Sequence, residues 1–95
     1  MGYTLFFPTP LDQIDKYNDN IDVCMTLDNG RTLTFVIATP DNLKCQISQN
    51  HHPFITPGAP ILIAEKLTED VISQLMKELV KDEVLLQTYG ADLLN

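Results

Sequence analysis

The histidines of this chain offer its most specific chemistry, because imidazole nitrogen binds zinc, nickel and copper. His51 and His52 lie side by side in the segment QNHHPFITPGAP (residues 49–60), with three prolines and a glycine after them. Two histidines face one ion when they are two residues apart on a strand, or three or four apart on a helix. Adjacent side chains point apart, and the sequence has neither a third histidine nor a CxxC motif. His51 and His52 are therefore weak metal candidates, and a proline-stiffened connector is the favoured interpretation.

The other reactive side chains do not form a catalytic motif. Cys45 needs a base, and the nearby His51 follows the predicted end of the cysteine's helix, so no regular element holds the two together. Asp12, Asp15 and Asp19 form a carboxylate cluster, but the segment DKYNDNID lacks the glycine and glutamate positions of an EF-hand loop. The phosphate-binding, dinucleotide-binding and nucleophile-elbow patterns of glycines are also missing from the sequence. We therefore expect no cofactor and no catalytic activity.

Charge is unevenly distributed along the chain. The net charge is −7, and the segments 11–28 and 67–95 each carry −4, whereas the segment 29–66 between them carries +1. Such a field repels the phosphates of nucleic acid and anionic lipid, and it attracts a basic protein. We therefore expect a protein partner, basic in character, and neither nucleic acid nor a membrane.

Length and cysteine content indicate a single domain in a reducing compartment. A chain of 95 residues with 44% hydrophobic content suits one α+β domain over residues 1–95. The apolar runs are too short to span a bilayer, and no secretory signal pattern stands at the N-terminus. Cys24 and Cys45 are too few and too widely spaced for a disulfide framework, so we expect reduced thiols and a cytoplasmic location.

Three helices are predicted from their N-terminal signals. The sequences TPLD (9–12) and TPDN (39–42) each place a threonine at the N-cap and a proline at the first helical position. The first helix has an apolar pattern for about two turns, and the second extends to Asn50. The third starts after LTED (67–70) and carries one apolar stripe, which predicts an unbroken helix from Glu69 to Tyr89.

Four strands are predicted from short runs rich in β-branched and aromatic residues, and they span Tyr3–Phe7, Ile21–Leu27, Thr32–Ala38 and Ile61–Glu65. The second and third of these strands should form a hairpin. A three-residue loop closed by Gly30 pairs Met25 with Leu33 and Val23 with Phe35, so that the large apolar side chains share one face. A two-residue turn would divide them between both faces.

These elements give the order β-α-β-β-α-β-α. That order predicts a ferredoxin-like or related split βαβ sheet with its helices on one face and a long C-terminal helix. Right-handed crossovers would place both short helices on the face of Phe35 and Met25. The opposite face, rich in threonine, would then stay uncovered.

Two surfaces remain for function in this predicted fold. One is the uncovered sheet face, and the other is the C-terminal part of the long helix, which should extend beyond the short strands. The predicted interface residues on these surfaces are Cys24, Thr34, Val36, Val84, Leu85, Tyr89, Leu93 and Leu94. An alternative is that residues 82–95 fold back as a second short helix and complete the core.

The leading functional hypothesis is a small acidic cytoplasmic protein-interaction module that self-associates, for example as a homodimer, and lacks catalytic activity. Inhibitors and immunity-type binders of a basic partner are examples of this class. One alternative is a small-ligand or metal-binding module that uses the loop with His51, His52 and the prolines. The other is a cysteine- or carboxylate-based enzyme that uses Cys45 or the Asp12, Asp15, Asp19 cluster.

Overall fold

The fold was analysed in a computed structural model, which describes residues 2–50, 53–55, 58 and 60–92. The described residues form a small α+β structure with an open, mainly antiparallel sheet of five strands, together with three α-helices. The elements are β1 (Tyr3–Phe6), a 3₁₀ turn (Leu11–Gln13), β2 (Asn20–Leu27), β3 (Thr32–Ala38), α1 (Pro40–Asn50), β4 (Leu62–Ile63), α2 (Glu69–Val80), α3 (Glu83–Tyr89) and β5 (Ala91–Asp92).

The hairpin of β2 and β3 has the predicted register. Val23 is opposite Phe35 and Met25 is opposite Leu33. Gly30 has a φ of 87° and donates its N–H to the carbonyl of Leu27 at 2.9 Å, which closes the three-residue loop. The prediction that the large apolar side chains share one face is confirmed, because all four of these strand residues are fully buried.

The ferredoxin-like arrangement is not confirmed, because the strand order is β1-β2-β3-β4 and β1 pairs antiparallel with β2. A split βαβ sheet needs a helical crossover after β1, and only one 3₁₀ turn forms there. The side chain of Asp15 accepts the N–H groups of Tyr17 and Asn18, and Asp19 accepts the N–H of Asp15. These bonds compete with helical hydrogen bonds, so the predicted first helix ends after one turn.

Two short strands share the outer edge of β3. The parallel strand β4 pairs Leu62 with Ile37, near the end of β3, whereas the antiparallel strand β5 pairs Ala91 with Thr34, near its beginning. The two strands come from different parts of the chain, so both ends of the outer edge of β3 are paired with short segments far apart in sequence.

The core lies on one face of the sheet, between the strands and the helices α2 and α3. Its buried side chains are Ile21, Val23, Met25, Leu27, Leu33, Phe35, Ile37, Leu62, Ala64, Leu67, Ile72, Met76, Leu79 and Leu86. The predicted N-cap of α2 is present, since Thr68 accepts the N–H of Val71. The helix buries Ile72, Met76 and Leu79 at helical spacing, as its apolar stripe predicts.

The predicted unbroken helix from Glu69 to Tyr89 is wrong, because the chain breaks it at Lys81 and Asp82. Asp82 has an extended backbone and caps α3 by accepting the N–H of Val84 at 2.9 Å. The break changes the direction of the chain and places Leu86 in the core, where it is only 1% exposed. The alternative in which the tail folds back as a second short helix therefore describes residues 82–92.

Helix α1 is not placed like α2 and α3, so the prediction that the helices lie on one face is not confirmed. The side chain of Asn20 points to the face opposite the core and donates to Oδ1 of Asn42 in α1 at 3.0 Å. Ala38 points to the same face and is nevertheless fully buried. The side-chain amide of Asn42 needs hydrogen-bonding partners, which Asn18, Asn20 and its helix neighbour Gln46 supply and an apolar core does not. Helix α1 therefore covers the end of that face next to Ala38.

Candidate interaction surface

The face opposite the core is the main surface left open by the fold, and we call its uncovered part the second sheet face. Strand pairing places Phe6, Cys24, Thr34 and Ala91 in one row across four strands. Successive side chains of a strand alternate between the two faces, which fixes the rest of the set. The second sheet face consists of Thr4, Phe6, Asp22, Cys24, Thr26, Thr32, Thr34, Val36 and Ala91.

The chemistry of the second sheet face is mild and partly apolar. Asp22 is its one charged residue, although the whole chain carries a net charge of −7. The side chain of Phe6 is 65% exposed, and Cys24 and Val36 are half-buried. The Sγ atom of Cys24 lies 3.8 Å from Oγ1 of Thr34, so the hydroxyl and thiol groups are already in contact with each other. Such a surface suits contact with another protein better than catalysis or binding of a charged ligand.

Three of the predicted interface residues lie together on the second sheet face, and three others lie on α3. Cys24, Thr34 and Val36 share the second sheet face. Val84 and Leu85 are 69% and 37% exposed, but they lie on α3, which packs on the opposite side of the sheet. Tyr89 of the same helix packs against the core, and Leu93 and Leu94 lie outside the described residues.

Two exposed apolar residues of the sheet are not among the predicted interface residues. Phe6 belongs to the second sheet face, and Ile63 is 60% exposed next to the end that α1 covers. The alternation in YTLF (3–6) indicates that Phe6 points opposite to Leu5. Which of the two enters the core depends on the partner of β1, and this partner is known only from the fold.

The candidate metal and enzyme residues form no catalytic cluster in the described part of the chain. His51 and His52 lie outside it, and no group of three or more histidine, cysteine or acidic side chains within it could hold a metal ion. The thiol of Cys45 is half-buried and accepts a hydrogen bond from Asn18 Nδ2 at 3.6 Å. Asp15 and Asp19 accept backbone N–H groups, so their carboxylates stabilise the loop.

A charged cluster attaches the C-terminal segment to the hairpin. The guanidinium of Arg31 donates to Asp92 at 3.1 Å and to Glu83 at 3.4 Å. The hydrogen bond to Asp92, followed by the charges of Asp92 and Glu83, raises the pKa of Arg31 above its ordinary value. Arg31 therefore stays protonated throughout the useful pH range, and the cluster stabilises the ends of α3 and β5 on the sheet.

Comparisons with known proteins give no relative for this chain. No protein-family model matches it, and no curated protein or solved structure matches it. No helix in the described residues is both long enough and apolar enough to cross a membrane. What the chain does must therefore be inferred from its own surfaces.

Proposed function

We propose that this chain is a small acidic protein-interaction module of the cytoplasm, which lacks catalytic activity and self-associates through the second sheet face. The row of Phe6, Cys24, Thr34 and Ala91 is the observation that carries this proposal. It extends across four strands without a basic or acidic side chain. Both cysteines are free thiols, which suits the reducing conditions of a cytoplasm.

Burial of the second sheet face would stabilise a pair of molecules mainly through Phe6, because Val36 is already half-buried in the single chain. Complete burial of a large apolar side chain contributes roughly 1.5–3 kcal/mol, and a symmetric pair contains each side chain twice. Cys24 and Thr34 lie between them, and their small side chains allow a second sheet to approach. Helix α1 limits the contact at the end next to Ala38.

Charge favours a second candidate, in which the module binds a basic protein in the manner of an inhibitor or immunity protein. The acidic residues of the segments 11–28 and 67–95 are largely exposed, and these two segments account for the negative net charge of the chain. Two copies of such a chain repel each other, whereas a basic partner is attracted. Salt therefore separates the two candidates, because it should strengthen self-association and weaken binding to a basic partner.

The test is the mass of the particle in solution, measured by sedimentation equilibrium over a concentration series in low and high salt. The wild-type chain should form dimers more readily in high salt. Phe6→Glu and Val36→Glu should give monomers, because they place a charge in the contact. Gln87→Glu is the matched control, since it adds the same charge at an exposed position of α3 and should leave the dimer intact. A monomeric wild-type chain, or equal behaviour of all variants, would contradict the proposal.

A further inference from the structure

The outer edge of β1 is a second surface, distinct from the second sheet face. Strand β1 pairs only with β2 among the described strands. Leu27 at the end of β2 donates its N–H to the carbonyl of Arg31, on the β3 side. Main-chain groups of successive strand residues point to alternate sides, so the odd-numbered residues of β2 form hydrogen bonds with β3 and the even-numbered ones with β1. Thr4 and Phe6 of β1 face these even-numbered partners. The N–H and C=O groups of Tyr3 and Leu5 therefore point away from the sheet.

These outward groups have no protein partner within the described residues. Although β1 is only four residues long, it carries neither the charge, the proline nor the bulge that often protects an edge strand. Natural edges are blocked by lysine, proline or a bulge, or are covered by another element. The sequence YTLF (3–6) contains no charge and no proline, and its pairing with β2 is continuous. The main-chain groups of Tyr3 and Leu5 are therefore available to pair with an added strand.

A groove runs beside this edge on the core side of the sheet. Its volume is about 560 Å³, and Tyr3 forms one wall. The other wall is the C-terminal half of α2 and the residue after it, which contribute Gln74, Lys77, Glu78, Val80 and Lys81. Tyr3 and Leu5 lie on the core face. The side chain opposite Tyr3 in a strand added to β1 would therefore enter the groove.

The charges of the groove indicate what such a strand should carry. Lys81 donates to Glu78 at 3.0 Å, so these two charges offset each other. Lys77 forms no ion pair with any residue that the structure describes, and it leaves the groove with a positive charge in an otherwise acidic chain. A second copy of β1 would bring no carboxylate to Lys77. An acidic segment of a different protein fits the groove better than a second copy does.

We propose that β1 accepts an extended acidic segment of another protein as an additional antiparallel strand, whose carboxylates enter the groove and pair with Lys77. In an antiparallel pair, residues opposite each other point their side chains to the same face of the sheet. Residues of the added strand opposite Tyr3 and Leu5 therefore point their side chains to the core face, and they also direct their N–H and C=O groups toward β1. The residues with carboxylates in the groove are therefore the ones whose N–H groups bond to the edge.

The probe is a hexapeptide of alternating valine and glutamate with blocked ends, added to ¹⁵N-labelled full-length chain and followed by two-dimensional NMR. We expect saturable shifts of the amide resonances of Tyr3 and Leu5. The matched peptide of valine and lysine should bind at least about tenfold more weakly, because each charge reversal at an exposed pair changes affinity severalfold. N-methylation of the glutamates should abolish binding, whereas N-methylation of the valines should not.

Two variants of the chain test the role of the lysine. Lys77→Glu should weaken binding of the acidic peptide about fivefold to tenfold and strengthen binding of the basic one. Lys44→Glu makes the same charge change on the exposed side of α1 and should have little effect. The proposal is overturned if both peptides bind equally, if neither binds, if the shifts avoid β1, or if N-methylation of the valines is the change that abolishes binding.

Discussion

Gly90 lies directly against the ring of Phe35 at the centre of the core. A Cβ atom at Gly90 would be 3.0 Å from Cζ of Phe35 and 2.7 Å from the carbonyl oxygen of Leu86. The backbone of Gly90 is extended, with a φ of −95°, so this position needs glycine for space and not for backbone conformation. Close contact here allows the chain to pass from α3 into β5 over the buried face of Phe35.

Gly90→Ala should therefore destabilise the fold. The added methyl group must displace the ring of Phe35 or the last turn of α3, and such overpacking costs about 1–3 kcal/mol. Urea denaturation followed by circular dichroism measures the change. Gly58→Ala is the control, because a Cβ there meets nothing within 4 Å and the free energy of unfolding should hardly change. Equal stability of the two variants would show that the C-terminal segment does not pack on Phe35 in this way.

Gly30→Ala should also destabilise the fold, for a different reason. No atom lies within 4 Å of a Cβ at Gly30, but its φ of 87° belongs to the left-handed region, where an alanine costs roughly 1–2 kcal/mol. Asparagine tolerates this region, so Gly30→Asn should recover part of the loss. Gly90→Asn should recover nothing, since its defect is steric. Denaturation midpoints of the four variants check this pattern, and recovery at Gly90 would contradict it.

Thr39→Val should loosen α1 and the loop before β2. The side-chain oxygen of Thr39 is fully buried and accepts the N–H groups of Asn42 and Asp19, at 3.2 and 3.3 Å. Valine has nearly the same shape but leaves both donors unsatisfied, which costs about 2 kcal/mol. Amide exchange of α1 should accelerate in the variant. The exposed change Thr4→Val should alter stability by less than about 0.5 kcal/mol, and an equal effect of both would count against this role.

Local sequence determined the parts of the fold whose signals lie close together in the chain. The register of β2 and β3 follows from two alternating runs and one glycine, and Val23 faces Phe35 as that pattern predicts. The start of α1 after Thr39 and the start of α2 after Thr68 follow from N-cap chemistry within one helical turn. In each case the deciding residues are neighbours, so no distant partner was needed.

The first and last predicted helices show where local patterns fail. The apolar spacing after Thr9 is helical, but the carboxylates of Asp15 and Asp19 bond the backbone and end the element early. The stripe from Glu69 to Tyr89 is also helical, yet Asp82 caps a new helix that turns Leu86 into the core. In both segments the local pattern is compatible with a longer helix and with a shorter one. The apolar surface that the whole chain can bury decides which of the two forms.

The candidate interaction surface combines both kinds of information. The sequence alone determined that Cys24, Thr34 and Val36 share the polar side of a hairpin, because alternation within two adjacent strands requires it. Only the tertiary structure decided that Phe6 joins them, that α1 covers the end next to Ala38, and that the outer edge of β1 stays open. The physical reason is that strand order and helix placement depend on contacts between distant segments, whose free energies no single stretch of sequence contains.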